Sequence, residues 1–276
     1  MLRGLILAML LVMLLAVGST DLRADSIRLT GLDTERLADI IEQNETGGQA
    51  RFLTYWSPNE PFPSFGIGHF IWVPPGVAVP FEPTFPAMVR FVDARVPAPD
   101  WLRQPDLPFP WRDRSHFYQA WSSEELESLR DWLMATKPHQ AAFIVQRFQS
   151  RLKTQLSELP DPVARALRQR LAPFFQFEAG VLALLDYANF KGIGANPRER
   201  YQGQGWGLLD VLQAMPNTLF DSQLSSAEWL DGFVRAARSV LKQRTQLAPP
   251  EKNEQRWLEG WFQRLDGYRA LEKDVP

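Results

Sequence analysis

Glu45 is an acidic residue whose position in the sequence suits acid catalysis. It ends the segment Asp33–Glu45, in which apolar residues recur at helical spacing behind Asp33 as an N-cap, and Gly47 and Gly48 follow it closely. A carboxyl group at the end of a helix with one buried face is partly desolvated, which raises its pKa and keeps it protonated for use as a general acid. The alternative interpretation is an acid that forms a surface hydrogen bond at a helix end.

The second candidate segment is Gly66-Ile-Gly-His69. Glycines in a strand mark a bulge or a close approach of the backbone, and His69 is either a structural histidine or part of a site. The order of features carries more information than each one alone. A helix that ends in Asn-Glu is followed by a short aromatic strand-and-turn segment and then by Ser-Phe-Gly-Ile-Gly-His.

This order resembles the active site of phage-type lysozymes. LADIIEQNETGG is similar to the first helix of those muramidases, and the resemblance implies that Glu45 is the general acid. PSFGIGHF is similar to their Gly-x-Gly-His strand, which implies that His69 supports the site and that Ser64 helps to place water. VLALLDYANFKGIG and the segment from Trp257 to Tyr268 more faintly resemble the central helix and the final helical wall of the family.

The sequence departs from the lysozyme pattern in the loop between these segments, where the family carries an aspartate. The loop here reads Ser57-Pro-Asn-Glu60. Glu60 is a candidate for the second carboxylate, and Asn59 is an alternative that would hold a water molecule. Glycoside hydrolysis that inverts the anomeric configuration requires two carboxyl groups ~6.5–9.5 Å apart, whereas hydrolysis that retains it requires ~5–5.5 Å. If neither residue acts as a base, the site resembles instead that of lytic transglycosylases, which use one glutamate.

The segment from Asn189 to Leu209 combines glycines with side chains that bind sugars. Amide and guanidinium groups hydrogen bond to hydroxyl, acetamido and carboxylate groups, while aromatic rings stack on sugar faces. We expect a glycan-binding loop here; the alternative is a connecting loop whose aromatic side chains pack into the core. The candidate substrate-binding residues are Asn59, Asn189, Arg200, Tyr201, Gln202, Gln204 and Trp206.

Composition argues against several other functions. The chain of 276 residues has a formal net charge of −2, and nucleic-acid binding requires a strongly basic surface, so no nucleic-acid partner is expected. It has no cysteine and only three histidines, which lie far apart, so the sequence predicts no metal site and no thiol nucleophile. No serine-hydrolase elbow and no phosphate-binding loop motif occurs, and no cofactor is expected.

The N-terminal residues predict export. Arg3 precedes an apolar run from Leu5 to Val17, and the small-residue site Leu22-Arg-Ala24 follows, as in a signal peptide. We expect residues 1–24 to be removed, which leaves no membrane partner; an uncleaved anchor is the alternative. An exported chain without cysteine fits a bacterial protein, periplasmic or secreted, better than a eukaryotic secretory route.

The elements that must position these residues are mostly helical. The proline-rich stretch 73–110 predicts little regular helix, and we expect the insertion 73–121 that contains it to be ordered on the surface. In the last helix, Trp257, Trp261, Leu265 and Tyr268 form one stripe, which predicts a core face. Apolar residues recur every three to four positions in the segments 123–136, 138–157, 161–171, 174–190, 206–214, 226–243 and 252–270.

These patterns predict a lysozyme-like protein of α+β class that is mainly α. Residues 25–276 form a single domain, with a small N-terminal lobe (25–72) that carries a short β-hairpin and a larger helical lobe (122–276). The expected function is cleavage of β-1,4 glycosidic bonds in peptidoglycan glycan strands, with Glu45 as the acid. Two alternatives stay open: a lytic transglycosylase that uses Glu45 alone, and a non-catalytic periplasmic module that binds glycan or protein. The sequence carries no signal for an oligomeric state.

Overall fold

The computed structural model describes residues 33–194, 199–220 and 222–271, and the predicted signal peptide lies outside these ranges. Helices dominate the described part of the chain, which confirms the prediction of an α+β protein that is mainly α. The helices are α1 (Thr34–Thr46), α2 (Phe85–Asp93), α3 (Arg114–Gln119), α4 (Glu124–Ala135), α5 (Lys137–Glu158), α6 (Asp161–Leu171), α7 (Glu178–Lys191), α8 (Leu208–Ala214), α9 (Ser226–Leu247) and α10 (Leu258–Ala270).

Short antiparallel strands form a three-stranded and a two-stranded sheet in the described ranges. The strands are β1 (Thr54–Tyr55), β2 (Ser64–Phe65), β3 (Phe70–Ile71), β4 (Arg200–Tyr201) and β5 (Gln204–Gly205). In the first sheet β2 lies in the centre and pairs with β1 and β3, and in the second β4 pairs with β5. The predicted short hairpin before residue 72 is therefore a three-stranded meander, and its second turn contains the Gly-Ile-Gly-His sequence.

Helix α1 carries Glu45 in its last turn. The Asp33 carboxylate accepts hydrogen bonds from the backbone N–H groups of Glu35 and Arg36, as an N-cap does. At the other end Gly47 adopts a left-handed conformation with φ of 60°, and its N–H donates to the carbonyl of Gln43. The helix packs on α5 through an apolar face. The predicted helix and both of its ends are therefore confirmed.

The stretch 73–121 differs from its prediction. It contains α2 and α3, and the Pro86 ring is tolerated because it lies in the first helical turn, where backbone N–H groups lack helical partners. Several of its large side chains are buried rather than spread over the surface, although Phe81 is exposed. We call the resulting group the aromatic cluster: Phe65, Trp72, Phe85, Trp111 and Phe117, all at most 4 % exposed and in ring contact with one another.

The helices after residue 122 follow the predicted periodicity, with two differences. Helix α7 begins at Glu178 because residues 172–176 form a 3₁₀ turn. Trp257 was predicted to share the core face of α10, but it precedes the first residue of the helix and is 53 % exposed, while Leu265 and Tyr268 are buried. None of the described helices is long and apolar enough to span a bilayer.

Candidate active site

Glu45 lies between two basic side chains from distant parts of the sequence. Its Oε2 is 3.2 Å from Nδ1 of His69, and its Oε1 is 2.7 Å from Nη2 of Arg264 on α10. The Glu45 side chain is 14 % exposed. The Glu45 carboxyl is thus largely removed from water, and two basic side chains are in contact with it.

The turn that presents His69 is fixed by its glycines and by Gln140 of α5. A Cβ atom on Gly66, which has a φ of +68°, would lie 2.3 Å from Oε1 of Gln140, so no larger residue fits. The same oxygen accepts a hydrogen bond of 3.0 Å from the N–H of Ile67. His69 itself has a φ of 46°, an uncommon conformation for a residue with a side chain. Such local strain concentrates at functional sites.

Asp186 of α7 holds Arg264 in place. It is fully buried and accepts hydrogen bonds from Nε and Nη2 of Arg264 at 2.9 and 2.8 Å. The hydroxyl of Tyr268 donates to the same carboxylate at 2.5 Å, and Nδ2 of Asn44 donates at 3.3 Å. Because Nη2 of Arg264 contacts both carboxylates, one guanidinium nitrogen bridges Glu45 and Asp186.

The charges in this group shift the pKa values of its buried members. Burial alone would lower the pKa of Arg264, but the carboxylates of Asp186 and Glu45 raise it well above its ordinary value. Burial, together with the charge of Asp186, raises the pKa of the Tyr268 hydroxyl well above 10. Arg264 is therefore a permanent cation at this site, and Tyr268 is a permanent hydrogen-bond donor to Asp186.

Lys191, the last residue of α7, lies beside this group. Its Nζ is 3.4 Å from the ring centroid of Trp261 and 3.9 Å from that of Phe190, while Cζ of Arg264 is 4.3 Å from the Phe190 centroid. Burial lowers the pKa of Lys191 to about 6, and the charges of Arg244 and Arg264 act in the same direction. We call Glu45, Asp186, Lys191, Arg264 and Tyr268 the charged cluster.

The loop that carries β4 and β5 is attached to the helical lobe next to Lys191. The hydroxyl of Tyr201 donates to Oε1 of Glu254 at 2.8 Å, and Nε of Arg244 forms an ion pair of 2.7 Å with Oε2 of the same carboxylate. Cζ of Arg244 lies 4.1 Å from the ring centroid of Trp206, whose carbonyl accepts a hydrogen bond from Tyr187. Tyr201 and Trp206 therefore anchor the loop.

Comparisons with models of protein families, with curated proteins and with solved structures give no match. The functional argument therefore depends on the residues of the site.

The predicted catalytic residues are brought together only in part. Glu45 and His69 are in contact, whereas Ser64 lies in β2 with its hydroxyl 3.5 Å from the carbonyl of Tyr55. Asn59 and Glu60 are exposed in the loop between β1 and β2. Among the described residues, no hydrogen bond or ion pair links either of them to Glu45.

The predicted substrate-binding residues divide into two groups. Arg200, Gln202 and Gln204 are exposed, and Arg200 and Gln202 line a groove of about 510 Å³ with Tyr201 and residues 246–250. Trp206 is only 7 % exposed and is covered by Arg244, so it packs in the core instead of offering a free face to a sugar, as the connecting-loop alternative holds. Asn189 is partly buried near the end of α7.

Sequence reasoning did not identify Asp186, Lys191 or Arg264. Asp186 left a signal, because an aspartate inside the apolar run VLALLDYANF has to be buried and buried carboxylates require partners. Arg264 is one of many arginines on helices and left no such signal. In the described ranges, no group of three or more metal-binding side chains occurs.

Proposed function

We propose that this protein cleaves β-1,4 glycosidic bonds in peptidoglycan on a lysozyme-like scaffold, with Glu45 as the proton donor. The observation that carries the proposal is the contact between Glu45 and His69. It joins the end of the first helix to the Gly-Ile-Gly-His turn, the two segments whose order resembles phage-type lysozymes. The strained backbone of His69 and the bridging Arg264 support the assignment of a site at this point.

In the proposed reaction Glu45 protonates the glycosidic oxygen, whose bond to the anomeric carbon then breaks. The sugar ring passes through an oxocarbenium-like transition state. Glu45 then carries a negative charge, which Arg264 compensates at 2.7 Å. Asp186 keeps Arg264 in position through two hydrogen bonds, so the guanidinium stays in place while Glu45 loses and regains its proton. His69 fixes the second carboxylate oxygen of Glu45.

The fate of the sugar cation distinguishes two forms of this proposal. Hydrolysis requires a group that positions water, and Ser64, Asn59 and Glu60 remain the candidates. Transglycosylation requires only one glutamate, because a hydroxyl group of the sugar attacks instead of water. The second form is favoured because Asp186, the carboxylate that shares Arg264 with Glu45, is fully buried and already bound to Arg264, Tyr268 and Asn44, so it is not free to act as a base.

The non-catalytic alternative is favoured by the missing aspartate, and also by the stretch 73–121 if that stretch covers the groove or docks a partner. The described contacts of that stretch run elsewhere: its rings pack against Phe65 and Trp72, and Arg114 and Tyr118 bind the carbonyl of Trp56. Among the described residues, no hydrogen bond, ion pair or ring contact joins this stretch to Glu45, which favours the enzyme over a site plugged by the stretch.

The decisive experiment compares Glu45→Gln with Asp39→Asn, which removes an exposed carboxylate from the same helix. We expect Glu45→Gln to lower the clearing of a peptidoglycan gel at least ~100-fold, since general acid catalysis contributes 10²–10⁴-fold. Asp39→Asn should clear like the wild type. Equal clearing by Glu45→Gln and the wild type would exclude Glu45 as the acid, and binding without any clearing by the wild type would support the non-catalytic module.

Product mass and one further variant separate the two reaction forms. Hydrolysis gives a reducing end, whereas transglycosylation gives a 1,6-anhydro end that is lighter by one water molecule. Glu60→Gln should abolish the reducing-end product if Glu60 acts as the base, and it should leave a 1,6-anhydro product unaffected.

A further inference from the structure

Lys191 differs from the other cations near Glu45 in its partners. Arg244 is paired with Glu254, and Arg264 is paired with Asp186 and Glu45. The ion pairs among the described residues include none with Lys191, whose Nζ instead faces the rings of Trp261 and Phe190. A largely buried ammonium group without a carboxylate partner is unfavourable, so the place of Lys191 beside these two rings calls for an explanation.

The surroundings of Lys191 are arranged for an anion that the chain itself does not supply. Arg244 from α9 and Arg264 from α10 both lie close enough to lower the pKa of Lys191, while Glu254 and Glu45 act weakly in the opposite direction. Burial is the largest cause of the lowered pKa, which is about 6. A carboxylate that enters this place would pair with Lys191 in a charge-assisted contact, whereas the two arginines already have carboxylate partners.

We infer that Lys191, between Trp261 and Phe190, is the anchor of an anion subsite next to Glu45 that binds a carboxylate carried by the glycan. This inference rests on the proposed function for the identity of the ligand. The position follows from the Phe190 ring, which contacts Lys191 and also Arg264, the partner of Glu45. The carboxylate therefore belongs to a sugar close to the cleaved bond.

Muramyl residues offer this chemistry from two sources. The lactyl ether carries a free carboxylate where the stem peptide has been removed, and the stem peptide carries its own acidic groups where it is present. Three probes separate the sources: the disaccharide of N-acetylglucosamine and N-acetylmuramic acid, its lactyl methyl ester, and the disaccharide bearing an L-alanyl-D-glutamate stem. The methyl ester differs from the first probe by one added methyl group and by the loss of the negative charge.

The experiment measures binding of the three probes by isothermal titration calorimetry to the full chain, to Lys191→Met and to Lys242→Met. Lys242 is an exposed lysine on α9 and serves as the matched control. We expect the wild type and Lys242→Met to bind at least one carboxylate probe ~10-fold more tightly than the ester, a charge-assisted contact of modest size. In Lys191→Met this ratio should fall to about 1.

Proton uptake on binding is a second readout, and it would not depend on Lys191 if that lysine had only a structural role. Because the pKa of free Lys191 is about 6 and a bound carboxylate requires the ammonium form, binding above pH 6 must take up a proton. The carboxylate preference should therefore weaken as the pH rises from 6 to 8. Calorimetry in buffers of different ionisation enthalpy should detect this proton in the wild type and not in Lys191→Met.

The outcomes distinguish this inference from the proposed function. Equal binding of ester and acids by the wild type, or an equal loss for all three probes in Lys191→Met, overturns the subsite. Binding of no probe by the wild type overturns it as well. A preference that depends on Lys191 in a protein that cleaves no glycan would support the subsite and reject the enzyme.

Discussion

The aromatic cluster and the charged cluster are both largely buried, but burial of the first favours folding and burial of the second opposes it. The first contains rings only, and every ring that leaves water adds to stability, at about 25 cal/mol per Å² of apolar surface. The second buries Asp186 completely and Arg264 almost completely, and desolvation of such charges opposes folding unless each keeps its partners. The comparison suggests that the aromatic cluster serves stability, whereas the charged cluster is retained for another purpose, which we assign to chemistry at Glu45.

The largest expected effect comes from breaking the charged cluster at its centre. Asp186→Ala removes the carboxylate that pairs with Arg264 and accepts from Tyr268, and it leaves both groups buried without that partner. We expect the free energy of unfolding to fall by ~3–5 kcal/mol, measured by urea denaturation. Peptidoglycan clearing should be lost under conditions where the variant is still folded, because Arg264 is no longer fixed beside Glu45.

A double variant separates the loss of stability from the loss of peptidoglycan clearing. Asp186→Leu combined with Arg264→Met replaces the ion pair with apolar side chains of similar size, which is often neutral or stabilising. We expect stability above that of Asp186→Ala, with clearing still absent. Full clearing by this double variant would show that the charged cluster does not serve the chemistry.

A somewhat smaller effect is expected in the aromatic cluster. Trp111→Ala removes a ring that is 4 % exposed and contacts Phe65 and Phe117, so the free energy of unfolding should fall by ~3 kcal/mol or more. Trp257→Ala is the matched control, because that ring is 53 % exposed and its loss should change stability by no more than ~0.5 kcal/mol. Folded Trp111→Ala should retain its clearing activity, and selective loss of clearing would contradict the division between the clusters.

The smallest expected effect is the pH dependence that Lys191 of the charged cluster gives to the free energy of unfolding. The pKa of Lys191 is about 6 in the folded protein and about 10.5 as its ordinary value, so between these values the unfolded chain binds one proton more. The free energy of unfolding therefore rises with pH across this range, and the penalty of the buried lysine is fully present below pH 6. Lys191→Met should be the more stable protein at pH 7, and its advantage should grow by roughly 1 kcal/mol as the pH falls from 7 to 6. A difference that does not change with pH would contradict a buried, titrating lysine.

Local patterns predicted most of the secondary structure. Asp33 and Gly47 are the two ends of α1, and Ser123 caps α4 by accepting from the N–H of Leu126, as their residue types indicate. The stretch 73–121 could not be predicted in the same way, because its prolines weaken every local signal for helix. Only the burial of Phe85, Trp111 and Phe117 together makes α2 and α3 favourable there.

The candidate site, too, could be predicted only where local patterns determine it. By itself the sequence determined the helix that carries Glu45 in its last turn, the glycine turn at His69 and the mainly helical class, because capping, turn geometry and apolar spacing act over a few residues. The tertiary structure alone decided that Arg264 and Asp186 meet Glu45, that Lys191 lies between two rings, and that Trp206 is buried. These contacts join positions far apart in the sequence, Glu45 and Arg264 by more than two hundred residues, and no local preference of the chain specifies which distant charge will neutralise another.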